Sequence, residues 1–503
     1  MIERTLAQLK EYLKITVKQA DHKVKLTSLE IDSRKLQKNS VFLALKGHKV
    51  NGHNFIAKAL EAGVAAVIVT DSRYQVPQEI KESPRLNSKI LYPPVAVETG
   101  VLASWFYGDP TSKLRLLGVT GTNGKSTVTH MLAYLLQSMG KKCAILGTLG
   151  YGFLGNLQKS ANTTLNAVDL QRALASFLDE GAGWGALEVS SIGVCEGRIE
   201  GCHFHGGGFT NLTRDHLDYH KTEEAYFEAK KRFLEMVPPR YLCINDLDKK
   251  ARMINMAIPG VIAFGEGPRV PAFVDQNYVW IKKIDYLEDG MKLNIVSSYG
   301  QGECKLNLLG RFNALNFACA LSMLLCHNLP FKALLDGASK IKPVAGRMEC
   351  YYKQGKPRII VDYAHTPDGI ESALKAVREH LHEKGKVTIV MGCGGDRDVG
   401  KRSIMAMKAC VYADRVILTN DNPRTENEDQ IINDMLLGVP QEYKAVTIEK
   451  DRKKAILLAF KEAKACDVVL IAGKGHEDYQ IFKDQTVHFS DREIAQSLIA
   501  NEA

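Results

Sequence analysis

The chain has 503 residues, 45% apolar and 24% charged, with a net charge of +9. That balance is globular: it excludes a disordered or collagen-like chain, and the length suits about three domains. No apolar run approaches the ~20 residues of a membrane span, the opening MIERTLAQLKEYLK has no apolar signal core, and no Lys/Arg block is dense enough to bind nucleic acid. A cytoplasmic protein is expected. The mild positive excess suits anionic small substrates as well as ordinary solubility. The 11 cysteines are odd in number and scattered, none of them in a CxxC pair, which reads as reduced thiols and neither a disulfide frame nor a zinc site.

Three α/β blocks follow one another. In the first, 1–112, the strand-like runs SVFLAL and AAVIV flank a helical stretch, FIAKALEAG, that stops at Gly63. The polar, Pro-containing segment RYQVPQEIKESPRLNSK reads as a surface connection. The second block, 113–343, opens on LRLLGV, a buried parallel strand, and closes on the helical LGRFNALNFACALSMLL. The third, 344–503, carries four strand-like runs, PRIIVDY, KVTIVMG, DRVILTN and DVVLIAG, separated by helical patterns. Alternating strand and helix predicts parallel sheets with right-handed crossovers. The four strand exits read DYAHTPD, GCGGDRD, NDNPRTE and GKGHEDYQ. Ligands of open parallel sheets bind at those carboxyl ends, so a small-molecule site is expected there.

The sharpest motif is LLGVTGTNGKSTVTHMLAYLLQSMG, a strand, a Gly-rich turn and a helix. Val128, Met131, Leu132, Leu135, Leu136 and Met139 fall on one helical face, and Gly140 ends the helix. Gly121 and Gly124 let backbone N–H groups surround a phosphate at the helix start, Lys125 reaches its β/γ oxygens, and Ser126 is placed to hold Mg²⁺. The turn is a variant of the usual phosphate loop, because Val119 stands where that pattern has glycine. Such a loop is shared by kinases, switches and ligases, so it names no reaction. Glu188 ends an apolar-leading run as a strand-end acid, and Asp215, His216, Asp218 and His220 crowd into TRDHLDYH. Lys230 and Lys231 lie on a helical pattern, and composition alone puts both on its solvated face. Arg347 and Arg424 are placed to pair with phosphate or carboxylate, although a surface ion pair is the commoner fate of a single arginine.

In this order, GVTGTNGKST, NLTRDHLDYHKT, GRFNALN, GRMEC, VDYAHTPD, GCGGDRDVGKR, DNPR and GKGHEDYQ resemble the Mur ligases over nearly the whole chain. The resemblance implies a three-domain α/β fold: a UDP-sugar domain, a central P-loop mononucleotide-binding ATPase domain, and a C-terminal Rossmann-like parallel-sheet domain. It implies an ATP- and Mg²⁺-dependent ligase of peptidoglycan precursor synthesis, in which a D-Glu carboxylate is activated as an acyl phosphate and attacked by an amine. Carried over by motif, Gly121, Thr122, Asn123, Gly124, Lys125, Ser126 and Thr127 cradle ATP, and Asn313, Arg347, Asp362 and His365 complete the nucleotide site across a domain interface. Ser126, Glu188 and Lys230 are the implied metal ligands, Lys230 as a carbamate, an anion that binds Mg²⁺ where an ammonium would repel it. Lys125, Lys230 and His216 are the candidate catalytic groups.

Ile31, Ser33, His48, Lys49 and Val50 match contacts to the uridine side, and Asn162, Thr163, Thr164, Ser190, Glu196 and Arg198 match contacts to the rest of a UDP-muramoyl dipeptide. Asp421, Asn422, Pro423 and Arg424 form the motif that in the family accompanies meso-diaminopimelate. Its second carboxylate suits the Arg424 fork, and Arg397, Gly473 and Glu477 match the other contacts. Three departures stand out: Ile192 where the family has histidine, Glu196 where it commonly has glutamine, and Leu165 and Ala345 in place of prolines. A ligase for L-lysine, a folylpolyglutamate-synthase-like ligase, a nucleotide switch and a non-catalytic paralogue are the competing readings.

Overall fold

The computed structural model describes residues 2–47, 50–71, 74–270, 276–381, 385–483 and 485–500. Besides two two-stranded ribbons, Arg4–Thr5 with Lys25–Leu26 and Tyr479–Phe482 with Gln485–His488, three larger sheets follow in chain order. The first is parallel and four-stranded, Leu29–Glu30, Val41–Ala44, Ala66–Val69 and Ile90–Leu91. Helices Leu6–Tyr12 and Thr99–Tyr107 cover one face and Ile56–Glu61 the other. Both faces are dry, so Val41–Ala44, Ala66–Val69 and Ile90–Leu91 are apolar throughout and do not alternate, while Glu30 in the first strand is buried against Arg172. The connection expected to be irregular holds two short helices, Gln78–Glu82 and Pro84–Asn87, the second capped by the Ser83 hydroxyl and started by Pro84.

The central sheet has 11 strands. Its parallel part runs Cys143–Gly147, Trp184–Glu188, Arg115–Thr120, Phe204–Phe209, Leu242–Asn245, Ile262–Glu266 and Tyr278–Leu287, with antiparallel strands at both edges. Helices Lys125–Ser138 and Arg311–Leu325 pack on one face, and Ala167–Asp179 and Glu223–Leu234 on the other. The strand Arg115–Thr120 is flanked by Trp184–Glu188 and Phe204–Phe209, so Glu188 and Thr210 emerge beside the glycine turn that follows Thr120.

The third sheet is six-stranded in the order Glu349–Tyr351, Arg358–Asp362, Val468–Ala472, Val387–Met391, Arg415–Leu418, Val446–Ile448. The four expected strands are its parallel centre. The two edge strands are short and only partly buried, and their sequences carry no apolar run. Helices clothe both faces, as in a doubly wound sheet. All 11 cysteines are free thiols. No helix of the described residues is long and apolar enough to cross a membrane.

Candidate active site

A cavity of about 380 Å³ lies between the carboxyl ends of the central sheet and the start of the third sheet's first helix. The turn 121–124 and the helix Lys125–Ser138 form its floor. Two glycines are obligatory there. Gly121 has φ 142° and a Cβ on it would lie 1.9 Å from the Thr210 hydroxyl; Gly124 has φ 88° and a Cβ on it would lie 2.3 Å from Asn316 Oδ1. The turn is held by Asn211, whose carbonyl accepts the Thr122 N–H and whose Oδ1 accepts the Asn123 N–H, both at 2.9 Å. The first-turn N–H groups of the helix have no intrahelical acceptor and face the cavity, with Ser126 and Thr127 buried on its wall.

Two lysines converge behind this floor. Lys125 Nζ donates to the carbonyls of Gly121 and Thr122 at 2.8 and 2.9 Å, and Lys230 Nζ donates to the same Gly121 carbonyl at 2.8 Å. Lys230 is 1% exposed and lies over the Tyr226 ring at 4.5 Å, so the solvated-face expectation is overturned for it. Residue pattern alone assigned that face. The strand Arg115–Thr120 instead draws the helix Glu223–Leu234 inward, and Lys230 falls on its core side with Tyr226 and Phe233. Lys231 does face outward, beside Glu228 and Glu235. Burial, then the Lys125 charge, holds the Lys230 amine well below the ordinary lysine range. Burial also lowers Lys125, against the pull of Glu188 and Asp215.

Glu188 is 1% exposed, and its carboxylate accepts the Thr148 N–H at 3.0 Å and the Thr148 hydroxyl at 3.2 Å. Asp215 and His216 face it across the cavity. Burial raises Asp215, but His216, His365 and Lys401 outweigh burial and hold its carboxyl below the usual range. His216 sits in the left-handed region at φ 54°, a strained position for a residue with a side chain.

The opposite wall comes from the third sheet. Asp362 is anchored by the N–H groups of Met348 and Ala364 at 2.8 and 2.9 Å. His365 donates from Nδ1 to the Tyr363 carbonyl at 2.8 Å, and burial pushes its pKa down to about 4. The Arg347 guanidinium lies 4.3 Å over the Tyr363 ring, and its Nε is buried with no partner among the described residues. Asn313 does not line the cavity. It is 2% exposed, bonds the Leu309 carbonyl, and accepts from Asn316, which is the residue that reaches the wall. Asn316 follows Asn313 by one helical turn, so the motif GRFNALN carries both on one face. Phe264, Phe312, Leu315 and Ala373 give that end of the cavity an apolar surface.

Beyond Tyr363 the strand exits 421–424 and 473–477 meet. Asn422 Nδ2 donates to Glu477 Oε2 at 3.0 Å, and a Cβ on Gly473 would lie 2.8 Å from Asp421 Oδ2. Lys474, missed in the sequence, is fully buried between them and donates to Glu477 Oε2 at 2.9 Å and Asn422 Oδ1 at 3.2 Å. Glu477 is therefore partly neutralised. Pro423 is buried, and Arg424, at φ 53°, uses one nitrogen on the Gly395 carbonyl at 2.7 Å, which leaves the rest of its fork. Arg397 is exposed beside Gly394.

On the other flank, Thr163 lines the cavity and meets Thr148 at 3.0 Å. The Thr164 hydroxyl meets Ser190 Oγ at 3.0 Å, its carbonyl accepts from Arg198 at 2.7 Å, and Asn162 is exposed. Glu196 does not face outward as a lone carboxylate: Arg198 takes it through Nε at 2.8 Å and NH2 at 2.5 Å. Ile31, Ser33 and Val50 do not reach the cavity. Ile31 and Ser33 lie where the first sheet meets the central one, next to the Glu30–Arg172 pair at 2.8 Å and the Lys35–Asp169 pair at 3.1 Å. His48 and Lys49 lie outside the described residues.

The donor set is oxygen-rich and cation-rich. Ser126 Oγ and the Glu188 carboxylate are hard ligands that fit Mg²⁺. Among the described residues no three His, Cys, Asp or Glu side chains converge on a metal point, as expected of an ion held by one or two protein oxygens together with phosphate and water. The orphaned Arg347 Nε and two lysines aimed at one carbonyl fit a polyphosphate.

Three family models match in succession: Mur ligase family, catalytic domain, over 25–96; Mur ligase middle domain over 119–324; and Mur ligase, glutamate ligase domain, over 346–475. The UDP-N-acetylmuramoyl-L-alanyl-D-glutamate–2,6-diaminopimelate ligase of Vibrio vulnificus strain YJ016 is 42% identical over 480 residues, 95% of each chain. A solved structure of a ligase of that name superposes with a TM-score of 0.68 at 32% identity, over 99% of both chains. The MurF ligase from Thermotoga maritima, solved in complex with ADP, shares the fold at a TM-score of 0.64 and 19% identity, over 88% of this chain and 93% of that one.

Proposed function

The chain belongs to the Mur ligase family, and on that premise we propose that it is an ATP-dependent amide ligase joining meso-diaminopimelate to the D-Glu carboxylate of UDP-N-acetylmuramoyl-L-Ala-D-Glu. The observation that carries this reading is the cavity itself, with a phosphate loop on its floor and Arg347 and His365 on the opposite wall. A mixed-charge cluster of Asp421, Arg424, Lys474 and Glu477 lies at the neighbouring strand exits. A 42% identical relative carries the corresponding name over 95% of its length. We take the domains as 1–112, 113–343 and 344–503, and the setting as cytoplasmic peptidoglycan precursor synthesis, with cell shape and division depending on its product.

A carboxylate is a poor electrophile. In the reaction its oxygen attacks the γ-phosphorus of ATP, the bond to the β–γ bridging oxygen breaks, and ADP leaves. The neutral amine then adds to the acyl carbon, the resulting tetrahedral species expels phosphate, and the amine gives up its proton as the amide forms. Charge gathers on the phosphoryl oxygens, which the first-turn N–H groups face and which Lys125 reaches when its amine leaves the Gly121 and Thr122 carbonyls. His216 and Asp215 face the same end. Arg347 and Asp362 hold the nucleotide from the second wall. Mg²⁺, held by Ser126 and Glu188, supplies charge neutralisation on the phosphates when bound. Lys230 completes that set as a carbamate: its neutral amine adds to CO₂, forming an N–C bond and releasing one proton. The depressed basicity of this buried group favours the neutral form that reaction needs.

Specificity is assigned to Arg424. Diaminopimelate presents a carboxylate at its far end, and lysine presents none. The test is phosphate release and product mass with Mg-ATP and UDP-N-acetylmuramoyl-L-Ala-D-Glu, with meso-diaminopimelate or L-lysine in parallel. Tripeptide with diaminopimelate only, with its KM raised about 10- to 100-fold in R424A, is expected for loss of a charge-assisted fork. Equal use of lysine removes the Arg424 argument and leaves the ligase. Product with neither removes the ligase.

A further inference from the structure

The segment that gives Phe312, Leu315 and Asn316 to the cleft belongs to the central unit, yet it is gripped from the C-terminal one. His380 follows the last turn of the helix Pro367–Glu379 and is 7% exposed. Its Nε2 accepts the Gly310 N–H at 2.9 Å, and its Nδ1–H donates to the Leu287 carbonyl at 2.7 Å. A backbone N–H only donates and a carbonyl only accepts, so the two partners fix the neutral ring with its proton on Nδ1. Both partners lie in the central unit, and they are 70 and 93 residues distant in sequence. The Tyr286 ring meets the imidazole edge-on at 5.2 Å. Gly310 has φ 88°, and a Cβ there would lie 2.7 Å from that of Ala376, so the segment packs closely on the helix.

The same helix has its other end in the cleft, where Asp368, Gly369, Ser372 and Ala373 line the cavity. It is 13 residues long, about 20 Å at 1.5 Å per residue. It is a lever with a polar pivot at one end and the cavity wall at the other. A rotation of about 5° about the pivot moves the far end by about 1.7 Å, a displacement on the scale that costs ~100-fold in a positioned reaction.

We propose that His380 is a positioning residue for nucleotide binding: by bridging Gly310 and Leu287 it sets the helix Pro367–Glu379 and the start of the helix Arg311–Leu325 at one fixed angle, and so brings the two walls of the cleft into register. The inference rests on the cleft being the ATP site, as proposed above, and not on which amine is joined.

The experiment is calorimetric binding of a Mg-complexed non-hydrolysable ATP analogue to the full chain and to H380F and H380Q, with steady-state KM values for ATP and for the amino acid. Loss of two buried hydrogen bonds predicts a nucleotide Kd raised about 10-fold or more in H380F, with the amino-acid KM changed less than twofold. H380Q keeps a donor and an acceptor and is expected to recover most of the loss. A nucleotide Kd within twofold of wild type in both variants overturns the proposal. So does a parallel change in both KM values, which is what a merely structural role gives. If H380F does not fold, H380Q decides: glutamine reaches its two partners less well than the ring, so a Kd raised about 3-fold with faster amide exchange over 309–316 supports the pivot, and wild-type values for both overturn it. Absence of amide product with every amine tested removes the ligase reading and leaves this binding test standing.

Discussion

Arg452 and Asp491 form a pair that water does not reach, with both side chains at 0% exposure and two parallel bonds, Nε to Oδ1 and NH2 to Oδ2, each 2.8 Å. The guanidinium also serves the carbonyls of Ala472 at 2.9 Å and Asn420 at 3.4 Å. Those carbonyls close the strands that lead into Gly473 and Asp421, so the pair holds the base of the proposed amine pocket from beneath. R452M leaves a dry carboxylate with no counter-charge and takes one donor from each of two carbonyls, of which Asn420 keeps Gln480 Nε2 at 3.5 Å. Removing one partner of such a pair costs about 3–5 kcal/mol. At ~2–4 °C per kcal/mol for a unit of this size, the unfolding midpoint of the C-terminal transition drops by about 6–20 °C. R452M/D491L removes both charges and is expected to recover most of that loss, because the uncompensated charge, more than the missing attraction, sets the penalty. Scanning calorimetry on the three proteins measures the shift, and phosphate release reads the amino-acid KM, which rises in R452M below its melting range. A single variant within 1 °C of wild type, or a double variant less stable than the single, refutes this account of the pair.

K230M removes a buried polar group and with it the proposed carbamate, while Lys125 still serves the Gly121 carbonyl, so thermal stability holds or rises while kcat drops by about 100-fold or more. A fall in both together means that Lys230 is structural. E196Q frees Arg198 from its carboxylate beside the Thr163–Thr164 flank; the KM for the UDP substrate is expected to fall about 2- to 5-fold at unchanged kcat, and a rise excludes Arg198 as an anion contact. His327, packed on Tyr241 and Trp184 beside Arg115 and His205, has its pKa pushed down to about 4, first by burial and then by those charges. A group whose folded pKa is depressed gives stability that is complete above the unfolded value of ~6.5 and is lost as pH falls toward 4. Denaturant melts at pH 4.5 and 7 are expected to differ less in H327L than in wild type, and an equal difference rules the residue out.

What was legible in the sequence follows from locality. The phosphate turn, its helix and the four parallel strands of the third sheet are short-range patterns: glycines at fixed offsets, a 3.6-residue apolar face, and continuous apolar runs bounded by turns. The strands Glu349–Tyr351 and Val446–Ile448 escaped because an edge strand needs no apolar run. Lys230 was misplaced because the face a helix buries is chosen by what packs on it, and Phe233 and Tyr226 share that face with the lysine. Lys474 and Asn316 lay inside quoted motifs and still went unmarked, since only the meeting of two distant loops, or of a helix with the turn at Gly124, gives either a task. The departure at Glu196 resolved into an ion pair two residues away, a contact that a substitution considered alone does not reveal.

The two lysines explain why the cleft is divided between units. Lys125 and Lys230 share one carbonyl acceptor; burial lowers the basicity of both, and the Lys125 charge lowers that of Lys230 further. Burial of the Lys125 charge is costly, and the pull of Glu188 and Asp215 offsets only part of that cost, since the group stays below the ordinary lysine range. A polyphosphate relieves the remainder, so binding draws on a deficit already present in the fold. The acids that balance this charge come from several elements: Glu188 from one strand end, Asp215 from the loop after another, and Asp362 from the opposite sheet. Were all of them beside the lysines, the cations would be neutralised and the anion site lost. Placing Asp362 on a second unit, with Arg347, keeps that acid away from the positive floor, and it makes the angle between those walls, held at His380, a determinant of nucleotide affinity.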